Sequence, residues 1–350
     1  MSGEKARGFL RDGTIVLAQG SVGEVHGRFG MGESANGETT LAPVEAMYLL
    51  DTDRLIIDGI GGLKDLLEMF APEETKYLAY RDLRNRGFTV KPFAEPFDFS
   101  IQRKGEKEDE HPSTCWVKAV SEQAPLDMRE LGSWVSIAQA AKRRMVVAAI
   151  DEEGDVTYYE ARALDLHGSA PVLARRKARE RTPCLVLEGR GVVSERAAAD
   201  ELHSVYFFGK RIGKLLHVSL VEAVYLHEAG VLSLHAPDGR DLDPDDIIRR
   251  LRQKEGDAPL RVRTYSVLRE RGLIPKTGFK YGVYFRAYSH HPEEEHAPYL
   301  VHALGRGARS TWAEASRAIR LAHGVRKEMV FCELRAKGDP LFYQIARIKL

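Results

Sequence analysis

The sequence repeats itself, and this repetition limits the possible folds more than any other feature. Three blocks from the first half recur in the second half in the same order, 177 to 185 residues later. The matched blocks are 42–49 with 219–226, 80–87 with 265–272, and 127–130 with 311–314. Loop insertions produce a small drift in spacing of this kind, and the period is too long for a solenoid. We therefore predict a duplicated domain, in agreement with the two domains expected of 350 residues.

Hydrophobic periodicity in the second copy predicts two structural parts. Residues 183–255 combine short apolar runs with helices at 219–229 and 243–253. The remainder predicts a helix at 262–271, strands at 283–288 and 299–304, a helix from 311 to about 327, and strands at 329–334 and 341–348. Helices packed on a mixed sheet put the chain in the α/β (α+β) class.

Composition also indicates where the two copies meet. The segment 169–182 is polar and basic, so we interpret it as a linker. The first copy then spans 1–168. The second copy consists of an N-terminal subdomain at 183–255 and a further subdomain at 256–350.

Bulk composition excludes several classes of protein. The formal net charge is only +1, so an RNA partner would need a local basic surface. Cys115, Cys184 and Cys332 form no CxxC pair, which argues against a zinc ribbon and fits a reducing cytoplasm. No stretch approaches the ~20 apolar residues of a membrane span, and the N-terminus has no apolar run of signal-peptide type. We therefore expect a cytoplasmic protein with no membrane partner.

Three side chains that can move protons or bind an anion stand between residues 278 and 327. They are Tyr288, His296 and Lys327. When the two copies are aligned, the corresponding residues of the first copy are Gln102, Pro112 and Arg143. The surrounding pattern persists in the first copy, while all three side chains change, which a packing role alone would not predict. We interpret the three residues as one active site that only the second copy retains.

This set of side chains suits transesterification of a phosphodiester by a neighbouring hydroxyl, which RNA carries at its 2′ position. The reaction needs a base, an acid and a cation that stabilises the phosphorane. Lys327 suits a non-bridging oxygen, and His296, which can be protonated near neutrality, suits the leaving oxygen. Tyr288 would then be the base, with its pKa of ~10 lowered by Lys327. Alternatively, Tyr288 orients the hydroxyl without taking its proton.

Simpler interpretations stay open for each feature taken alone. Tyr288 fits a half-buried strand aromatic, and Lys327 near a helix C-terminus would complement the helix dipole. His290, His291 and His296 with the acidic residues 293–295 suggest a metal site, although a solvated acidic loop explains them as well, because zinc ligands keep fixed spacings on ordered elements. The acidic run 151–155 fits a solvated hairpin turn.

The three candidate residues belong to longer motifs. These are G-x-K-Y-G…F-R-x-Y at 278–288, H-A-x-Y-L-V at 296–301, and R-x-A-x-x-V-R-K at 320–327. In this order and spacing, together with 208–210 and 221–226, they resemble the archaeal tRNA-splicing endonucleases of the homodimeric, two-repeat class. One departure is Tyr284, where the family pattern has an aspartate, as the first copy does at Asp98.

The resemblance implies a fold and an activity. Each repeat is expected to hold a small N-terminal α/β subdomain and a restriction-nuclease-like mixed-sheet subdomain, with the first repeat non-catalytic. The activity implied is cleavage of precursor tRNA at bulge–helix–bulge sites without a metal or other cofactor, leaving a 2′,3′-cyclic phosphate and a 5′-hydroxyl. The family's catalytic triad maps onto Tyr288, His296 and Lys327.

The resemblance also implies how RNA and a second protomer are bound. Arg320 and Arg347 match a pair of arginines that sandwich a bulged base by cation–π contact. An acidic loop of the inactive repeat enters a basic cleft of the other protomer in a homodimer. The corresponding residues here are Asp151, Glu152, Glu153 and Asp155.

Two other functions remain open from the sequence. The chain could be a non-catalytic structural subunit of a heteromeric RNA-splicing nuclease, although its intact triad argues against this. It could also be a DNA nuclease of the same fold, but that would need a carboxylate-rich Mg²⁺ site, which we do not find in the second half. An RNA with a 2′-deoxy group at the cut distinguishes these chemistries, because only a metal nuclease would still cleave it.

Overall fold

The structure, a computed structural model, describes residues 5–103, 115–174, 181–254, 256–305, 310–335 and 339–350. It forms two compact units. The first comprises Met1–Arg162 with Ser310–Ala315 and Ala346–Leu350, and the second comprises Ala163–Arg309 with Ser316–Ile345. None of the helices in the described ranges combines the length and the apolar character needed to cross a lipid bilayer.

The first half of the chain alternates short strands with amphipathic helices. In chain order the elements are β1 (Ala6–Arg11), β2 (Thr14–Leu17), β3 (Glu33–Ala35), β4 (Glu38–Leu41), α1 (Pro43–Asp51), β5 (Leu55–Asp58), α2 (Leu63–Met69), α3 (Glu74–Asn85), β6 (Phe88–Pro92), β7 (Phe99–Arg103), β8 (Cys115–Ser121), α4 (Met128–Ala140), β9 (Arg144–Ile150) and β10 (Val156–Ala163). Strands β1 to β5 form a sheet in the order β3-β4-β2-β1-β5, and the later strands run in the order β10-β9-β8-β7-β6.

The second half repeats this plan. Its elements are β11 (Thr182–Val186), β12 (Arg190–Val193), α5 (Arg196–Ser204), β13 (Lys210–Ile212), β14 (Leu215–Ser219), α6 (Leu220–Glu228), β15 (Leu232–His235), β16 (Asp241–Leu242), α7 (Pro244–Lys254), α8 (Ala258–Glu270), β17 (Ile274–Thr277), β18 (Phe285–Tyr288), β19 (Tyr299–Leu304), α9 (Trp312–Gly324), β20 (Glu328–Glu333) and β21 (Leu341–Ile348). One sheet has the order β13-β14-β12-β11-β15-β16, and the later strands run β17-β18-β19-β20-β21.

The two copies share one sheet topology, which confirms the predicted duplication and the α/β class. In each copy the third and fourth strands of the later sheet pair in parallel, β8 with β9 and β19 with β20. The neighbouring pairs are antiparallel. Parallel strands begin at the same sheet edge, so the residues just before β19 and just before β20 are neighbours.

Hydrophobic burial explains why each half folds as it does. In the second unit the apolar faces of α6 and α8 share one core with the inward residues of the strands, including Phe285, Val301 and Val330. In β18 Phe285 and Ala287 face this core and are buried, while Arg286 between them is only half-buried. Helix α9 begins with a capping box, since Thr311 and Glu314 exchange side-chain to backbone hydrogen bonds.

A buried glutamate holds the start of a helix in both copies. Each carboxylate accepts two backbone N–H bonds, and the pairs are Glu45 with Gly32 and Ala42, and Glu222 with Gly209 and Ser219. The copies differ in charge, because the Lys276 ammonium lies 3.6 Å from the Glu222 carboxylate. Burial raises the pKa of Glu45. Burial acts on Glu222 too, but Lys276 and the backbone donors together hold its pKa below the ordinary value.

Candidate active site

The end of β18 and the beginnings of β19 and β20 meet at one edge of the second unit's later sheet. Ala287 pairs with Tyr299 across the antiparallel β18–β19 ladder, and Tyr299 pairs with Glu328 across the parallel β19–β20 ladder. Tyr288 follows the first of these residues, and Lys327 precedes the last. The register therefore brings Tyr288, the segment before Tyr299 and Lys327 to the same edge.

Tyr288 lies in a small apolar cluster at this edge. Its side chain is 8% exposed and packs with Ala170, Ile274 and Ala297, with Phe207 against them. Ile274 is its cross-strand partner on β17. The ring is therefore held from both sides of its strand, which limits the positions that its hydroxyl can adopt.

Lys327 stands just before β20 rather than within a helix. We predicted a helix to about residue 327, but α9 ends at Gly324 and Arg326 has a left-handed backbone conformation with φ of 55°. This turn redirects the chain, and the Lys327 N–H donates to the Ala322 carbonyl. The Lys327 ammonium donates to the carbonyl of Ala297. Burial, and then the positive charge of Arg286, lower the pKa of Lys327.

His296 is exposed in the loop between β18 and β19 and immediately precedes Ala297. Ala297 packs against Tyr288 and accepts the hydrogen bond from Lys327. The loop is fixed by Glu295, whose carboxylate accepts from the His290 N–H at 3.1 Å. The structure thus brings Tyr288 and Lys327 to the residue next to His296, and the catalytic roles of the three stay a prediction.

The neighbouring histidines make contacts that shape the loop. His290 Nδ1 lies 2.8 Å from the Ser169 hydroxyl, and His291 Nδ1 accepts from the Glu293 N–H at 3.2 Å. The His291 ring also meets the Phe207 ring edge-on, with centroids 4.7 Å apart. Within the described ranges, no group of three or more His, Cys, Asp or Glu side chains is arranged to hold a metal ion.

Part of the predicted linker is built into this site. Ser169 N–H donates to the Ser289 carbonyl, and Ala170 N–H donates to the Gly272 carbonyl. Gly168 approaches Gly272 so closely that a Cβ on Gly168 would collide with the Gly272 carbonyl, and Gly272 has a φ of +71°. Residues 168–170 therefore form a strap that supports the Tyr288 end of β18.

One cation at the site was not predicted to be functional. The Arg286 guanidinium carbon lies 5.7 Å from the centroid of the Tyr288 ring. Residues two apart on a strand share a face, so the F-R-x-Y motif already indicates that Arg286 lies on the same face as Tyr288. Arg286 also pairs across the ladder with Lys276 on β17.

The first copy keeps the backbone of the site without its side chains. Gln102 pairs with Thr89 as Tyr288 pairs with Ile274. The Arg143 N–H donates to Ala138 as the Lys327 N–H donates to Ala322, and the preceding residue is left-handed in both copies. The alignment of Gln102 and Arg143 with the candidate residues therefore holds in three dimensions, whereas Pro112 lies outside the described residues.

The remaining predicted residues lie on the surface. Arg320 is exposed on α9, and Arg347 is exposed near the end of β21. In the turn between β9 and β10, Asp151 accepts from the N–H groups of Glu153 and Asp155. Asp151 therefore shapes the acidic turn, while Glu152, Glu153 and Asp155 stay exposed.

Comparison with known proteins agrees with this layout. A family model described as "tRNA intron endonuclease, catalytic C-terminal domain" matches residues 74–158 and again 259–343. Another, "tRNA intron endonuclease, N-terminal domain", matches 185–248. The chain is 32% identical to a tRNA-splicing endonuclease of Methanococcoides burtonii, over 96% of this chain and 97% of the relative. It is 30% identical to a tRNA-splicing endonuclease of Methanosarcina mazei, over 97% of this chain and 98% of the relative. It is 32% identical to a tRNA-splicing endonuclease of Haloarcula marismortui, over 89% of this chain and 90% of the relative.

Proposed function

The chain belongs to the tRNA intron endonuclease family, and from this premise we propose that it cleaves precursor tRNA at bulge–helix–bulge intron boundaries by metal-independent acid–base chemistry. The proposal assigns catalysis to the second copy alone. Tyr288, His296 and Lys327 are its catalytic residues, and the first copy serves assembly.

The reaction is a transesterification within the RNA strand. Tyr288 accepts the proton of the 2′-hydroxyl, or orients that hydroxyl, and the 2′-oxygen attacks the adjacent phosphorus. The bond from phosphorus to the 5′-oxygen breaks, and His296 gives that oxygen a proton. Lys327 stabilises the negative charge of the phosphorane. The products are a 2′,3′-cyclic phosphate and a 5′-hydroxyl.

The observation that carries the proposal is the shared sheet edge. The Tyr288 side chain packs against Ala297 and the Lys327 ammonium donates to the Ala297 carbonyl. His296 is the residue that immediately precedes Ala297 in the chain. Transesterification needs its three groups around a single phosphate. The substitution of Tyr288 and Lys327 in the otherwise matching first copy further supports a catalytic role.

The proposed function also includes assembly into a homodimer and binding of the RNA bulges. Two symmetric bulges require two active repeats, so one active repeat per chain requires a homodimer. We assign its docking loop to the exposed acidic side chains of Glu152, Glu153 and Asp155, with Asp151 fixing the turn. We assign bulged-base recognition to Arg320 and Arg347. The division at 1–168, 169–182, 183–255 and 256–350 and a cytoplasmic location remain predictions.

A cleavage assay in EDTA tests the proposal. The purified chain is incubated with a bulge–helix–bulge RNA, and we expect cuts at both bulges with cyclic phosphate ends. A matched RNA with a single 2′-deoxy group at each cut should stay intact. Loss of activity in the chelator, or cleavage of the deoxy substrate, would refute the mechanism.

Matched variants separate a catalytic chain from a purely structural subunit. Tyr288→Phe and Lys327→Ala should greatly slow cleavage, whereas Gln102→Ala, at the equivalent position of the first copy, should not. A purified chain that binds this RNA but never cuts it would favour the structural subunit instead.

A further inference from the structure

The proposed site contains more positively charged side chains than Lys327, the one cation that the proposed mechanism uses. Lys276 and Arg286 are cross-strand partners on β17 and β18. Burial is the main cause that lowers the pKa of Lys327 and of Lys276, and the positive charge of nearby Arg286 contributes in the same direction at both ammonium groups. Lys276, Arg286 and Lys327 therefore form one cationic cluster within the second unit.

The carboxylates around this cluster have other contacts. Glu222 lies beside Lys276 and accepts from the N–H groups of Gly209 and Ser219. Glu295 accepts from the Ser289 hydroxyl and the His290 N–H in the loop. Neither carboxylate forms an ion pair with Arg286 within the described part of the chain. The cluster therefore carries excess positive charge.

Arg286 is the least satisfied member of the cluster. It is half-buried, and its Nε atom is buried without a hydrogen-bond partner among the described residues. Lys276, by contrast, donates to the carbonyls of Phe207 and Gly209, and Lys327 donates to that of Ala297. A buried N–H group without a partner is costly for a folded protein, and the guanidinium that carries it is only half-buried beside Tyr288, so we infer that it binds an anionic ligand there.

The first copy gives an independent comparison. Ser100 pairs with Lys91 as Arg286 pairs with Lys276, so a serine occupies the position of the arginine. Ser100 is buried, and the strand around it keeps the same pairing. The arginine thus accompanies Tyr288 and Lys327 in the second copy and is missing with them from the first, although the strand does not need it to form.

We propose that Arg286 is a further catalytic residue, whose guanidinium binds a non-bridging oxygen of the scissile RNA phosphate beside the Tyr288 ring. This inference rests on the proposed function and extends it. A guanidinium presents several N–H donors in a planar fork that matches phosphate oxygens, whereas the Lys327 ammonium acts as a point charge. The two cations then divide the two non-bridging oxygens between them.

The test compares Arg286→Met, Arg286→Lys and Arg190→Met in single-turnover cleavage at saturating enzyme. Arg190 is an exposed arginine on β12, so its variant controls for the loss of one positive charge. Arg286→Met should slow the chemical step about 10²-fold, the effect of removing one donor to a developing oxyanion. The cleavage rate of Arg286→Lys should lie between those of Arg286→Met and the wild type, and the rate of Arg190→Met should equal that of the wild type.

A phosphorothioate at the cut distinguishes contact with the phosphate from a structural role. Sulfur at the oxygen that Arg286 binds should slow the wild type, and this thio effect should shrink in Arg286→Met. Thermal stability of Arg286→Met should be equal to or above that of the wild type, because a buried N–H group without a hydrogen-bond partner is removed.

Each contrary outcome has its own meaning. A wild-type rate and thio effect in Arg286→Met, or a slowed rate accompanied by lost stability with an unchanged thio effect, would overturn the role of Arg286 while leaving the proposed function intact. A wild-type chain that fails to cleave in EDTA would overturn both.

Discussion

Replacing Lys276 by methionine should lower the free energy of local unfolding in the second copy and leave that of the first copy nearly unchanged. The Lys276 side chain is 20% exposed and that of Glu222 is 7% exposed, and their charged atoms are 3.6 Å apart. Lys276 also donates to the carbonyls of Phe207 and Gly209. Methionine keeps the length of the side chain but removes the charge and all three interactions.

The expected cost is about 3 kcal/mol, the lower end of the range for breaking a buried ion pair. The lower end applies because Lys276 keeps some contact with solvent, and because Glu222 keeps its two backbone donors. A free-energy loss of this size corresponds to about a hundredfold change in an equilibrium constant. The double variant Glu222→Gln/Lys276→Met should recover more than half of it, since no charge is then left unpaired.

Hydrogen exchange measured by mass spectrometry is the suitable assay. All three tryptophans, Trp116, Trp134 and Trp312, belong to the first unit, so intrinsic fluorescence would report on the wrong one. Peptides covering 206–226 should lose about a hundredfold of their protection, while peptides covering 29–49 should be unchanged.

Lys91→Met is the matched control, because the exposed Lys91 occupies the position of Lys276 in the first copy. It should cost less than ~0.5 kcal/mol, as surface substitutions usually do. Protection of 206–226 within threefold of the wild type in Lys276→Met would refute the assigned energy of the pair.

Three further predictions concern pH, RNA and assembly. The pKa of Glu222 is lowered on folding, so the stability that its carboxylate contributes should be present above its unfolded pKa of ~4.3 and lost as the pH falls through the folded pKa. The pKa of Glu45 is raised, so its contribution to stability should show the opposite trend. Hydrogen-exchange protection of 206–226 and 29–49, corrected for intrinsic exchange at each pH, measures the two contributions, and equal trends would contradict the argument. Lys327→Ala should reduce the single-turnover rate far more than RNA affinity, whereas Arg320→Ala should mainly weaken binding in a filter assay; the reverse pattern would exchange their roles. Asp151→Ala removes the acceptor that shapes the acidic turn, so it should weaken dimerisation in analytical ultracentrifugation, and an unchanged association constant would remove that loop from the interface.

Local patterns predicted much of the second copy. Strand β19 at Tyr299–Leu304 and strand β21 at Leu341–Ile348 have the predicted bounds, because apolar and aromatic residues predominate in each and the sheet buries most of them. The helix α9 was predicted too long. Its apolar spacing continues to Val325, which is 38% exposed, and only the left-handed backbone at Arg326 ends the pattern.

Other features depend on contacts that no local pattern encodes. The pairing of Lys276 with Glu222 joins β17 to α6, and nothing in either segment points to the other. Arg286 looked like an ordinary outward strand residue, because the absence of a hydrogen-bond partner becomes visible only when its neighbours are known. The same holds for residues 169 and 170, which lie in the predicted linker 169–182 but form hydrogen bonds with Ser289 and Gly272.

The strap at 168–170 determines where the two copies could be separated. A fragment that starts at β11, near residue 182, would contain every side chain of the proposed catalytic triad. It would lack the backbone donors that pair with Ser289 and Gly272, as well as the methyl group of Ala170 against Tyr288. A division upstream of Gly168 would keep that edge intact. The strap therefore belongs structurally to the second copy. A chimera that exchanges one copy for that of a relative should keep residues 168–170 with the second copy.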